Sequence, residues 1–575
     1  MHIYEKLRKA PFNLDEKGFK WVTSTLEEMT QDEKIGQLFC MIAFDVNEEM
    51  LTAFSEKLKV GGIMGRPLPT EDACKVASIV QSKSKIPMLI AANLESGGDG
   101  LAREGTNIGP NMQVAATGEV DMAAKQGRIC AIEGTAVGGN WAFAPVIDID
   151  YNFRNPITAT RTYGSDPQFV KECGVAFTKA AQEKGMAVSI KHFPGDGVDE
   201  RDQHLVTSIN DLSCSEWDLT FGEAYKASIE AGALTVMAGH IMLPEYSRKF
   251  VPDIKDEEIM PATLAPELLN GLLREKLGFN GMIVSDATTM VGVSVAMPRP
   301  QLVPHCIAAG CDMFLFTKNF EEDYGFMKKG VIDGVITEER LNEAVARILA
   351  VKAALKLHEK KENGTLVPTI KEAKEKIGTK ENKAIELECS DKAVTLVKDL
   401  EGILPLDKSK YKKILLHPIE PVGPSLMSMI QGGQEDFTGE VKQAFENEGF
   451  EVDIFKVNPG LEGLMSSYFD VVGKYDLLVY ASNLSTKSNQ TTVRIEWQQP
   501  FGANCPSYIH SIPTIFISFA NPYHLLDVPR VRTFINAYKY KPANLKAVID
   551  KLMGRSEFKG KSPVDAFVGR WDTKL

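Results

Sequence analysis

Gly281-Met282-Ile283-Val284-Ser285-Asp286-Ala287 is a short apolar run that stops on a carboxylate. A continuous apolar run of this length reads as a strand buried on both faces, the habit of parallel sheets, and its polar last residue reads as the sheet's rim. Working outward, similar runs occur at 39–45, 60–64, 87–94, 141–147, 187–193, 234–240 and 312–316, which with 282–286 makes eight. Longer helical patterns separate them, such as 121–137, 167–184 and the amphipathic 338–357. Strands alternating with helices predict a parallel sheet, and eight is the number that closes a (β/α)8 barrel. A TIM-like barrel is therefore expected over residues 1–360.

Residues 361–388 turn to Lys, Glu, Gly and Thr, a composition that reads as a charged linker. Beyond it, buried strands are expected at 394–397, 413–417, 476–481 and 514–519, with helices at 439–447 and 544–553. The fold class is thus α/β twice over: an N-terminal barrel followed by a C-terminal three-layer α/β sandwich over 389–575.

The 575 residues are 44% apolar and 25% charged, as in ordinary globular enzymes, and carry a net charge of -12. An acidic chain lacks the basic field that nucleic acid or an anionic membrane surface requires, so neither is expected as a partner and a small neutral substrate fits better. The nine cysteines are scattered singly with no C-x-x-C pair, the pattern of free thiols in a reducing compartment. The N-terminus Met1-His2-Ile3-Tyr4 lacks a signal-peptide core and no run is long enough for a membrane span, so a cytoplasmic location is expected. Oligomeric state is not legible.

Barrel enzymes place chemistry where strands end, and the polar candidates fall there: Asn93 and Glu95, Lys191 and His192, His240, and Asp286. Asp286 reads either as the N-cap of a following helix or as a nucleophile able to form a glycosyl-enzyme. Asp202-Gln203-His204 reads either as a solvated charge cluster or as an acid/base dyad, the carboxylate fixing the tautomer and leaving the second ring nitrogen to donate. Arg161 reads as a surface ion-pair partner or, with Lys191 and His192, as a donor to sugar hydroxyls. Met237 and His240 read as pocket wall or as core. Gly195 and Gly197, flanking Asp196, suggest a loop able to move onto a bound sugar.

Several strings occur in an order that resembles glycoside hydrolase family 3, in its β-N-acetylglucosaminidase (β-hexosaminidase) branch: Phe143-Ala144-Pro145-Val146-Ile147-Asp148, Arg161 to Pro167, Lys191-His192-Phe193-Pro194-Gly195, Asp202 to His204, Val236 to His240, Pro261-Ala262-Thr263-Leu264, and Leu272 to Phe279 running into Val284-Ser285-Asp286. The resemblance implies a two-step retaining mechanism without cofactor or metal. Asp286 falls on the family nucleophile, His204 on the loop acid/base and Asp202 on its partner. Arg161, Lys191, His192, Asn93, Glu95, Met237 and His240 fall at the substrate. The implied activity is an exo-β-N-acetylglucosaminidase acting on peptidoglycan fragments or related glycosides, in peptidoglycan recycling.

Three positions depart from the branch pattern: Asn93 stands where Asp is usual, Asp196 where His is common after Pro-Gly, and Gln203 where Ser is usual. They leave open a phosphorylase, because a neutral imidazole does not repel phosphate, a β-glucosidase, and a catalytically lapsed sugar-binding protein.

Overall fold

The computed structural model describes residues 3–421, 436–457, 467–486, 488–489, 491–499 and 501–575. They form two compact units, one of 1–111 and 120–383, the other of 112–119 and 384–575.

The first unit is built on an eight-stranded parallel sheet. Its strands are β1 (Phe39–Ala43), β2 (Gly62–Gly65), β3 (Leu89–Ala92), β4 (Trp141–Ala142), β5 (Ala187–Phe193), β7 (Thr235–Ala238), β9 (Met282–Ser285) and β10 (Phe314–Leu315). Neighbours pair in that order, β1 pairs β10 through Phe39 and Phe314, and a bridge from Val284 to Met313 closes the ring between β9 and β10. The eight expected runs are the eight barrel strands, and their side chains are buried on both faces as a helix-wrapped parallel sheet requires. β4 is shorter than expected. Pro145 has no N–H to give the ladder, yet the run stays bonded to β5: the Ala144 and Pro145 carbonyls accept from the Ser189 and Lys191 N–H groups at 3.0 and 3.3 Å, and Ile147 donates to the Lys191 carbonyl at 2.9 Å.

Two further strands matter for the site. β6 (Ser208–Ile209) and β8 (Ile241–Met242) form a small parallel ribbon that ties the loop after β5 to the loop after β7. Helices wrap the barrel with ordinary start signals. The helix Pro167–Glu183 is capped by the Asp166 carboxylate, which accepts from the Gln168 N–H at 3.0 Å.

Residues 361–388, expected as a charged linker, are largely helical: Leu357–Glu362, Ile370–Lys376 and Lys380–Ala393. A capping box at Thr369 and Glu372 starts the second of these. Gly378 N and Asn382 Nδ2 donate to the buried carboxylate of Glu133 at 3.1 and 2.8 Å, so tertiary partners order what composition alone marks as solvated.

The second unit carries a six-stranded sheet in the order β11-β16-β15-β14-β12-β13, parallel except for β11 against β16. The ranges are β11 Thr395–Asp399, β12 Lys413–Ile419, β13 Glu451–Ile454, β14 Leu477–Ser482, β15 Thr514–Ser518 and β16 Thr533–Asn536. Side chains alternate between two cores. Ile414, Leu416, Leu477 and Val479 face helices Phe437–Asn447 and Pro542–Leu552, whereas Leu415, Leu478, Tyr480 and Phe516 face Leu484, Ile495, Ile512 and Leu525. The sheet is the middle of three layers. No helix among the described residues is long and apolar enough to cross a membrane.

Candidate active site

The sequence-predicted residues lie on the loops at the C-terminal ends of the barrel strands. Asn93 and Glu95 follow β3, Arg161 lies between β4 and β5, Lys191 and His192 end β5, Asp202 and His204 lie in the next loop, His240 follows β7 and Asp286 follows β9. In β5, one extra residue between Ile190 and Phe193 is set against β7, since Ile190 pairs Val236 while Phe193 pairs Ala238. Such a bulge breaks strict alternation. Two consecutive residues thereby both serve the rim, Lys191 reaching Glu95 and His192 reaching Asp148.

Glu95 is the centre of a cationic clamp. Its carboxylate accepts from Arg161 Nε at 3.1 Å and Nη2 at 2.7 Å, and meets Lys191 Nζ at 2.7 Å. Burial would raise the Glu95 pKa, but the charges of Arg161 and Lys191 hold it well below the usual carboxylate range. Lys191 is pulled down by burial, which Glu95 only partly offsets, and Arg161 is raised by Glu95 against its own burial. Asn93 at the end of β3 is exposed.

Asp286 accepts one N–H, from Ala287 at 2.7 Å, and its own N–H is held by the Ala238 carbonyl at 2.8 Å. Burial works against its charge, yet the neighbouring His192, His240 and His204 outweigh it and keep the carboxyl below its ordinary value. An ionised, partly exposed carboxylate with one oxygen that no donor among the described residues engages is what nucleophilic attack needs.

The three histidines are held differently. His204 Nδ1 lies 2.7 Å from Asp202 Oδ1, which also accepts the His204 N–H at 2.8 Å. The partner carboxylate takes Nδ1–H and leaves Nε2 without a protein partner among the described residues. His192 Nδ1 lies 2.7 Å from Asp148 Oδ2. His240 is fully buried, with Nδ1 at 2.9 Å from Thr263 Oγ1 and Nε2 at 3.0 Å from the Ala287 carbonyl. A carbonyl only accepts, so Nε2 carries the hydrogen. With both nitrogens engaged and its pKa lowered by burial, His240 braces the Asp286 loop. Met237 is buried in β7.

The two glycines beside Asp196 serve close packing. A side chain on Gly195 (φ +121°) would meet the Phe221 ring at 2.1 Å, and one on Gly197 (φ +106°) the Ile149 carbonyl at 1.9 Å. Both glycines thus permit contacts that a side chain would block. Asp196 between them is buried, accepting from Asn155 Nδ2 at 2.8 Å and Gly197 N at 2.7 Å. Burial and then the charge of Asp148 push it up to about 8.

Asp148 is the residue the sequence reading passed over. Its Oδ1 accepts the N–H groups of His192 at 3.0 Å and Asp196 at 2.8 Å while Oδ2 takes the His192 ring. The signal was present: an Asp ending the apolar run 141–147, as Asp286 ends its own. Glu133 was missed for a different reason. It sits inside a helix and is recognisable only by its buried donors, Thr106 N and Oγ1 both at 2.7 Å, which hold the loop after Glu95.

The family model for the glycosyl hydrolase family 3 N-terminal domain matches residues 30–351. A β-N-acetylglucosaminidase/β-glucosidase of Cellulomonas fimi is 49% identical over 572 residues, 99% of this chain and 100% of that one. A β-hexosaminidase of Vibrio cholerae is 32% identical over 245 residues, 42% of this chain and 69% of its own. Among solved structures, a β-glucoside phosphorylase bound to 2FGlc superposes with a TM-score of 0.91 at 44% identity, covering 98% of this chain and 100% of that one. A family 3 β-N-acetylglucosaminidase from Paenibacillus sp. str. FPU-7 shares the fold, with a TM-score of 0.76 at 23% identity over 94% of this chain and 100% of the other. Barrel, rim chemistry and full-length similarity agree: the chain belongs to glycoside hydrolase family 3 and is a glycoside hydrolase.

Proposed function

We propose that the chain is a retaining exo-acting enzyme that removes terminal β-linked N-acetylglucosamine, from peptidoglycan fragments or related glycosides, with β-glucosides as further substrates. The observation that carries the reading is the pairing of an ionised Asp286 with the Asp202–His204 dyad on the facing loop. In the first step an Asp286 oxygen bonds to the anomeric carbon, the bond to the aglycone oxygen breaks, and His204 Nε2 gives that oxygen its proton. In the second, water attacks the same carbon from the opposite side, His204 Nε2 takes its proton, and the Asp286 carboxylate departs. Asp202 holds the imidazole and stabilises the charged form that donates in the first step and is regenerated in the second. Two inversions restore the starting configuration. Arg161, Lys191 and His192, with Glu95 and Asn93, line the sugar's side of the site, and His240 and Met237 form its wall. Residues 1–360 carry the chemistry and 389–575 act as scaffold or interface.

The similarity to C. fimi β-N-acetylglucosaminidase/β-glucosidase supports both sugars. A second reading, phosphorolysis, is favoured by the phosphorylase at 44% identity and by an acid/base that is an imidazole and not a carboxylate, which does not repel a phosphate dianion in place of water. Hydrolysis of aryl β-N-acetylglucosaminide and aryl β-glucoside, each with and without phosphate, decides between them. Free sugar in both buffers supports the hydrolase and a sugar 1-phosphate the phosphorylase. A 2-fluoro glycoside should leave its label on the peptide containing Asp286, and a label elsewhere overturns the assignment.

A further inference from the structure

The segment carrying His204 runs from Asp196 to Thr207 as turns and bends without regular structure. A general acid must nevertheless be placed within hydrogen-bond reach of the leaving oxygen, and small displacements are costly. Something outside the loop's own backbone has to fix it. Gln203, between the two dyad residues, is fully buried. Its Oε1 accepts the backbone N–H of His240 at 2.8 Å, at the end of β7, and its Nε2 points to Asp196 Oδ2 at 3.4 Å. The acceptor role of Oε1 settles which end of the amide is which.

The backbone around Gln203 is fastened on the other side to the segment after Asp286. Val291 N donates to the His204 carbonyl at 2.9 Å, and Thr207 Oγ1 donates to the Gly292 carbonyl at 2.5 Å. A side chain on Gly292 would lie 2.1 Å from the Gln203 carbonyl, so the two segments cross with no room to spare. His204 is thus suspended between β7 and the Asp286 loop, with Gln203 as its buried peg.

We propose that Gln203 is a positioning residue for proton transfer: the amide, held by His240 N and Asp196, sets where His204 Nε2 stands relative to the glycosidic oxygen. This inference rests on His204 being the acid. Gln203 touches no substrate and acts through its neighbour.

The test compares an unactivated alkyl glycoside or disaccharide with a dinitrophenyl glycoside, whose leaving group departs without a proton. In Gln203→Ala, kcat/KM is expected to fall about 10- to 100-fold for the poor leaving group and less than about 2-fold for the good one, a fraction of what general acid catalysis supplies. In a His204→Ala background the same substitution should change neither. Gln203→Glu keeps the acceptor for His240 N and can take a hydrogen from the neutral Asp196, so it should retain the leaving-group behaviour that Gln203→Ala loses. Equal slowing of both substrates in Gln203→Ala, or no slowing, overturns the proposal, as does a Gln203→Glu variant that melts like the wild type yet behaves as Gln203→Ala. If His204→Ala itself fails to discriminate leaving groups, His204 is not the acid and both readings fall. If it discriminates and Gln203→Ala does not, only the positioning role is lost.

Discussion

Two His–Asp pairs stand at this rim with the same 2.7 Å contact through Nδ1. The His204 side chain is 25% exposed and that of His192 only 5%, over carboxylates that are both buried. His204 rides on a turn-rich loop pegged by Gln203, whereas His192 ends a barrel strand and its carboxylate also takes two backbone N–H groups. The same pair chemistry therefore yields different tools. An exposed imidazole on a pegged loop can exchange protons with an aglycone and with water; a buried one, locked at a strand end, serves as a fixed donor and as part of the field on Asp286.

The largest expected effect removes what both pairs face. Asp286→Ala should lower kcat by at least about 10⁴-fold with every aglycone, since a nucleophile and its supporting groups fail as a unit. Steady-state turnover with a folded variant, checked by circular dichroism, reads this out, and wild-type-like activity removes Asp286 from the mechanism.

Next come the histidines themselves. His204→Ala should cost about 10²- to 10⁴-fold on poor leaving groups and little on dinitrophenyl glycosides. His192→Ala should slow both classes alike and raise KM, because its contribution does not depend on the aglycone. If the two variants show the same leaving-group profile, the proposed division of labour is wrong.

The carboxylates should separate by stability instead. Asp148→Asn replaces the oxygen facing the His192 ring with an amide in a buried site and should cost about 1–3 kcal/mol of folding free energy. Asp202→Asn, under a partly exposed ring, should cost less stability but more activity on poor leaving groups. Chemical denaturation beside kinetics measures both.

The remaining effects are in pH dependence. Asp196, pushed up to about 8 from an ordinary 3.8, holds its proton in the folded state. A group raised in this way contributes stability that is full below about pH 4 and is lost as pH rises through about 8. Asp196→Asn, which cannot ionise, should flatten that part of the stability profile. Asp148→Asn should shift it downward, since the Asp148 charge is the main cause after burial. Glu95 has the opposite sign: held low by Arg161 and Lys191, its contribution is present above about pH 4.5 and is lost only well into acid.

Much of this was legible in the chain. The eight strands were marked by apolar runs because a parallel sheet buried on both faces admits few polar residues. Several rim residues were marked because they close such a run, as His240 closes 234–240 and Asp286 closes 282–286, whereas Arg161, Asp202 and His204 were marked only by the strings that contain them. β13 and β16 escaped because Glu451–Ile454 and Thr533–Asn536 are short and begin on polar residues. Asp148 was quoted within a matching string, yet its partners lie 44 and 48 residues on, and no spacing announces them.

What the sequence by itself determined was the list of parts: a barrel, a second α/β unit, and carboxylates, imidazoles and cations at the ends of particular strands. These follow from local burial patterns, which depend on near neighbours along the chain. Which histidine is exposed, which carboxylate is neutral, and which amide pegs the acid loop were decided by the tertiary structure. Those properties are set by desolvation and by hydrogen bonds between residues brought together across the barrel mouth, as His240 N meets Gln203 across 37 positions.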